Sequence, residues 1–253
     1  MKNLIYTTIG YDIKYIKIIK LLLDSLVKYS QITFDFCIIC DNNMYNEINL
    51  LCDQFINTLN ICIYCLDFNS NKPDIATINK LRIFEWNKID IYDKILFIDG
   101  DILVNYDINK IFDIDILDNI LYVYKEYDII EYHKEKWWSL QNYTNEDLET
   151  FRVNKIYPFN CGIFLFNNTI EMKTDFMSIL HKISVYTGDY FYEQSFMNEY
   201  FNKKMNVNYT VFTKYNYKMF PDLYTKYNSI IHFCGAYDTN KYDKMLYYTN
   251  KYL

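Results

Sequence analysis

The residues most suited to chemistry sit at the end of an apolar run. Ile95-Leu-Phe-Ile98 reads as a buried strand and ends in Asp99-Gly100-Asp101. In extended chain, residues i and i+2 point to the same side, so the two carboxylates converge. Gly100 between them removes a side chain and lets a bulky ligand approach the backbone. Paired carboxylates are hard oxygen ligands, suited to Mg²⁺ or Mn²⁺ holding a diphosphate. The D-x-D spacing alone is weak: Asp113-Ile-Asp115 repeats it after no comparable strand and reads as ordinary surface.

Histidines add a second clue. Of three, His133 lies in the charged stretch EYHKEK and His181 beside Lys182, both surface contexts. His232 ends an apolar strand, Ile230-Ile231, and is followed by Phe233-Cys234-Gly235. Alone it reads first as a hydrogen-bonded core histidine. Joined to two carboxylates it would make a mixed nitrogen and oxygen site, which favours Mn²⁺ over Mg²⁺. Two further segments stand out: Asn160-Cys161-Gly162 at a strand start, and Glu193-Gln194 at a helix start. The first also reads as a turn and the second as a solvated helix N-terminus, where acids are favoured.

The seven cysteines include Cys37-Ile-Ile-Cys40 and Cys62-Ile-Tyr-Cys65, a spacing that imitates a zinc ribbon. Both pairs lie in strand-like runs, FDFCIIC and NICIYCLDF, where positions i and i+3 face opposite sides. Buried, reduced thiols are the expectation.

The elements that must position these groups alternate. Strands are expected at 3–8, 34–40, 61–68 and 94–99, with helices at 12–29, 43–57 and 75–90 between them. Such β-α alternation with near-continuous apolar strands predicts an α/β fold with a central, mostly parallel sheet flanked by helices. Beyond residue 105 the spacing predicts strands at 120–125, 158–166, 206–213 and 229–234, and helices at 170–187 and 193–203. No linker-like stretch divides the 253 residues, so one domain is expected. Its first 105 residues or so would form one half and residues 106–253 the other. A net charge of -6 argues against nucleic-acid binding. The absence of a long apolar run or a leader-like N-terminus predicts a soluble, cytoplasmic protein with no membrane span. With only 5 glycines, each is expected where backbone geometry requires one.

Taken in order, Asn79-Lys80-Leu81, ILFIDGDILV, FNCGIFLFN, EQSFMNEYF and IIHFCG resemble the motifs of glycogenin-like glycosyltransferases across about 1–235. These are retaining family 8 enzymes of GT-A type, with a Rossmann-like domain. The resemblance implies a UDP-sugar donor, most simply UDP-glucose. It also implies Mn²⁺ on Asp99, Asp101 and His232, and a carbohydrate or protein hydroxyl as acceptor, with self-glucosylation and a homodimer both within the family's range. Thr7, Thr8 and Tyr11 would border the uridine, and Gly100, Cys161 and Gly235 would line the donor site. Lys80 would lie near the sugar-phosphate end, while Asn160 and Gln194 would contact the sugar. Glu193 stands where the family usually has Asp, beside the anomeric carbon. The family's lysine after the histidine is replaced here by Asp238, and Lys241 is the candidate substitute. That departure keeps open a catalytically impaired relative that binds UDP-sugar or a partner without turnover. A sugar-phosphate nucleotidyltransferase would want a glycine-rich basic loop after the first strand, which TTIGYD is not.

Overall fold

A computed structural model describes residues 2–70, 72–126, 142–186, 193–215, 217–219, 229–235 and 240–253. The chain opens with strand β1 (Asn3–Ile9), helix α1 (Tyr15–Tyr29), β2 (Asp35–Asp41), α2 (Tyr45–Asp53) and β3 (Ile61–Leu66). Helix α3 (Pro73–Ile78) passes into a 3-10 helix (Asn79–Glu85), and β4 (Lys94–Ile98) follows. Proline at the start of α3 fits, because its missing N–H has no partner in a first turn.

After β4 come β5 (Ile102–Val104), α4 (Asn109–Phe112), β6 (Leu121–Lys125), α5 (Asn145–Asn154), β7 (Phe159–Asn167) and α6 (Ile170–Ser184). The described chain ends with α7 (Glu193–Lys204), β8 (Val207–Asn208), α8 (Thr210–Lys214), β9 (Tyr217–Met219), β10 (Ile230–His232) and α9 (Lys241–Tyr252).

Seven strands form one sheet in the order β3-β2-β1-β4-β7-β6-β8. Every neighbouring pair is parallel except those made by β7, which runs against β4 and β6. From Phe36 to Cys40 no side chain of β2 reaches solvent, because helices cover both faces. On α1, Ile18, Ile19, Leu22, Leu23 and Leu26 are buried while Lys17 faces outward. Each such aliphatic side chain contributes roughly 1.5–3 kcal/mol when fully buried. A second sheet, β5-β10-β9, stands beside the carboxyl end of β4.

The cysteine pairs follow the strand argument. Cys37 lies opposite Cys62, and Cys40 opposite Cys65, across β2 and β3. The first pair packs into one apolar cluster and the second into the other, so all four remain free thiols on opposite sheet faces.

Three expectations need correction. The strand expected at 206–213 is only Val207–Asn208, followed by the helix Thr210–Lys214. The helix expected at 75–90 tightens into the 3-10 form from Asn79, and that tighter winding turns Lys80 inward, where it is buried. Helices α5 and α9 were not foreseen; α5 starts at a capping box in which Thr144 and Asp147 bond each other's backbone. His181 and Asp115 are exposed as expected. His133, Gly188 and Asp238 lie outside the described residues.

Candidate active site

The order of the large sheet reverses between β1 and β4: the chain leaves β1 towards β3, then returns to β4 on the other side. A crevice opens at the carboxyl ends of the strands at such a point, where ligands bind in α/β sheets. Asp99 is the first residue beyond β4, and its N–H donates to the Gly162 carbonyl at 2.7 Å. Asp101 precedes β5, and its carbonyl accepts from Phe233 N–H at 3.0 Å. Because β10 pairs antiparallel with β5, His232 lies opposite Ile102 and next to Asp101.

His232 Nε2 is 3.0 Å from Asp101 Oδ1 and 3.6 Å from Asp99 Oδ2. The other carboxylate oxygens take the lysines: Asp99 Oδ1 accepts from Lys80 Nζ at 3.2 Å, and Asp101 Oδ2 from Lys241 Nζ at 2.5 Å. One nitrogen and one oxygen from each aspartate therefore face a common point, with all three ligand atoms within 4.8 Å of one another. That donor set fits a divalent cation such as Mn²⁺ or Mg²⁺. Among the described residues it is the one such cluster.

Lys80 is 2 % exposed and also reaches Glu193 Oε1 at 2.6 Å and the Cys161 carbonyl at 3.1 Å. Its backbone carbonyl accepts from the Tyr6 hydroxyl at 2.9 Å, and its ammonium lies 4.7 Å from the centre of the Phe97 ring. Burial alone would lower the lysine pKa, but the charges of Asp99 and Glu193 outweigh it and keep the ammonium protonated. Burial raises the Asp99 pKa, with Asp101 adding to it and Lys80 opposing it. Asp101 is different: burial pushes it up, but His232 and Lys241 pull it well below the usual carboxylate range. Lys241 is raised because Asp101 outweighs the loss of solvent.

The second wall is built by β7 and α7. Asn198 clamps the two together, its side chain accepting from Phe159 N–H and donating to Phe159 O, both at 2.9 Å. This sets Glu193 and Gln194 at the cleft. Gln194 Oε1 accepts from Cys161 N–H at 3.1 Å, and Asn160 Oδ1 accepts from Gly162 N–H at 2.8 Å. Gly162 is required by close approach: an added Cβ would stand 2.3 Å from His232 Cε1. Gly235 has φ +124°, a conformation open essentially to glycine, and is exposed beyond the histidine.

Thr7, Thr8 and Tyr11 occupy the end of β1. Thr7 is wholly buried, and its Oγ1, the atom beside Gly100, has no hydrogen-bond partner. Tyr11, 41 % exposed and at φ 70°, sits in a separate cluster in which its N–H donates to Asp41 Oδ2 at 3.2 Å. Thus Lys80, Asp99, Asp101, Asn160, Cys161, Glu193, Gln194, His232 and Lys241 come together, while Tyr11 stands with Asp41 apart from them.

Three residues escaped the sequence reading. Asp41 ends β2 and accepts from Ser70 and Asn79 as well as Tyr11. Glu126 follows β6 and accepts from Asn160 Nδ2 at 2.8 Å. Both are acids at the end of a strand, the same signal that marked Asp99. Tyr217, 2.5 Å from His232 Nδ1, carried no signal among 28 tyrosines.

The sequence profile of glycosyl transferase family 8 matches residues 6–238, so the chain belongs to that family. Its fold is the GT-A type. The galactosyltransferase LgtC, solved with donor and acceptor sugar analogues, superposes with a TM-score of 0.64 at 16% identity, covering 96% of this chain and 94% of that one. The bifunctional glycosyltransferase WbbM matches with a TM-score of 0.64 at 15% identity over 97% of this chain, which spans only 49% of WbbM. GlyE of Streptococcus pneumoniae gives 0.62 at 14% identity, over 98% of this chain and 60% of GlyE. No curated protein matches the sequence.

Proposed function

We propose that this glycosyltransferase moves a hexose, most simply glucose, from a UDP-sugar to a hydroxyl with retention at the anomeric carbon, and that it depends on Mn²⁺. The observation that carries the proposal is the convergence of Asp99, Asp101 and His232 beside the Lys80–Glu193 pair at the sheet's switch point. Mn²⁺ held by Asp99, Asp101 and His232, with Mg²⁺ as a substitute, would supply Lewis-acid neutralisation of the diphosphate.

The chain's own groups do the remaining work. Lys241, beside Asp101, takes the place of the family lysine and adds a point charge at the departing diphosphate. Asn160 and Gln194 orient the donor sugar, and Thr7, Thr8 and Tyr11 border the uridine. Cleavage of the bond between the anomeric carbon and the diphosphate oxygen leaves positive charge on the sugar. The acceptor oxygen then bonds from the same face, and its proton passes to the leaving phosphate. Glu193 is held in a buried ion pair with Lys80, which weakens it as a nucleophile, so we read it as fixing Lys80 at the sugar-phosphate end rather than as forming a covalent intermediate. Residues up to about 105 carry the nucleotide-sugar side and those from 106 the acceptor side, within one domain. Among the described residues no helix is long and apolar enough to cross a membrane.

A panel of UDP-sugars with Mn²⁺, read by UDP release and intact protein mass together, tests the proposal. Mn²⁺-dependent UDP release with one preferred donor is expected. A mass increase by hexose units would identify the chain itself as acceptor. UDP-sugar binding without release from any donor, with or without added acceptors, would overturn turnover in favour of a binding protein.

A further inference from the structure

Behind His232 runs a chain of hydrogen bonds whose direction can be worked out from one end. Glu126 presents Oε1 to Asn160 Nδ2 at 2.8 Å and Oε2 to Gln194 Nε2 at 3.4 Å. A carboxylate only accepts, so both amides must turn their NH₂ groups towards it. Two backbone donors agree with that orientation: Cys161 N–H meets Gln194 Oε1, and Gly162 N–H meets Asn160 Oδ1. Asn160 Oδ1 is therefore an acceptor with its face towards Tyr217, whose hydroxyl lies 3.2 Å away. The single phenolic proton goes to Asn160. The Tyr217 oxygen is left to accept, and its remaining neighbour is His232 Nδ1 at 2.5 Å.

We propose that Tyr217 is a positioning residue: it fixes the proton of His232 on Nδ1, so that the Nε2 lone pair is offered to the cation shared with Asp99 and Asp101. Glu126, three groups from His232 in the chain, sets the polarity of the whole series. The inference rests on the divalent-cation reading above: His232 Nε2 lies 3.0 Å from Asp101 Oδ1, so without a cation a proton on Nε2 meets that carboxylate, and with one the lone pair is free to ligate. It also links the two walls of the cleft, because Asn160, one of the two amides assigned to the donor sugar, is the one that takes the Tyr217 proton. Gly162 belongs to this device, since any side chain there would enter the space of the His232 ring and Asn160 Oδ1.

Tyr217→Phe is the direct test. The ring is fully buried against Tyr124 and Phe212, and phenylalanine retains that packing. Two readouts are needed, both without substrate. The first is Mn²⁺ affinity from the free-ion electron paramagnetic resonance signal, compared with wild type and Asp101→Asn. Losing a hydrogen-bond partner behind a ligating histidine weakens metal binding by about 10–100-fold. That loss is expected for Tyr217→Phe, and a smaller one for Glu126→Gln, which lets the Asn160 amide turn over. The second is a ¹⁵N–¹H correlation of the histidine side chains in protein saturated with diamagnetic Mg²⁺, tractable with three histidines. Wild type is expected to carry a proton on His232 Nδ1 that is held in Tyr217's hydrogen bond, and Tyr217→Phe to lose that holding. Unchanged Mn²⁺ affinity in Tyr217→Phe, with Asp101→Asn abolishing binding, overturns the positioning role and leaves the metal site standing. Equal Mn²⁺ binding by wild type and Asp101→Asn overturns the metal site, and the nitrogen spectrum still decides the tautomer. A bare Nδ1 in wild type overturns the inference outright.

Discussion

Asp99 and Asp101 are separated by one glycine yet sit in opposite surroundings. Asp99 belongs to the large sheet's side of the cleft, where buried Lys80 is shared with Glu193, and burial keeps its pKa raised. Asp101 belongs to the small sheet's side, where His232 is nearer to it than to Asp99 and Lys241 bonds it directly, and together they hold its pKa down. The difference teaches that the two carboxylates of a D-x-D pair need not be equivalent. One is part of a structural charge network, and the other is a committed anion facing the histidine.

Asp101→Asn should break this comparison most severely. Removing the committed anion is expected to lower Mn²⁺-dependent UDP release by on the order of 10³ or more, since several kcal/mol of charge stabilisation depend on the ion. Turnover that persists at the wild-type rate would refute the asymmetry. Lys80→Met tests the other side. It leaves buried Glu193 and half-buried Asp99 without their cation, and the expected cost is about 3 kcal/mol of folding stability, measurable by urea denaturation. Lys241→Ala should lower turnover by about 10²–10³ if it serves the leaving diphosphate, and lower the denaturation midpoint less than Lys80→Met because Asp101 keeps His232. Gly162→Ala, which crowds His232, should cost about 1–3 kcal/mol from overpacking and weaken Mn²⁺ binding in a calorimetric titration.

The smallest effect sharpens the comparison through pH. A carboxylate held below its unfolded pKa contributes stability above that value and loses it on acidification; one held above it behaves in the opposite sense. In metal-free protein, the stability gap between wild type and Asp101→Asn should widen as pH rises through the carboxylate range. The gap to Asp99→Asn should narrow at higher pH, between the unfolded carboxylate value and the raised Asp99 pKa. Parallel slopes in thermal melts would remove the distinction.

Much of the parallel half was legible because its strands are buried on both faces and read as continuous apolar runs. The second half was harder. Val207–Asn208 and Thr210–Lys214 share a β-rich composition, and packing on β6 decides which part is strand. The 3-10 winding at Asn79–Glu85 has no periodic signature, yet it is what turns Lys80 inward.

By itself the sequence determined the chemistry available: a D-x-D pair after a buried strand, a histidine ending another, an acid and amide opening a helix, and the family those motifs define. Only the tertiary structure decided how they meet. The antiparallel pairing of β10 with β5 carries His232 to Asp101 across more than a hundred residues. The 3-10 turn delivers Lys80 to Glu193 and Asp99 together, and α9 brings Lys241 to Asp101. Local pattern governs which side chains a strand end presents. Which charges share a low-dielectric cleft, and so which carboxylate is raised and which depressed, depends on contacts between segments distant in the chain.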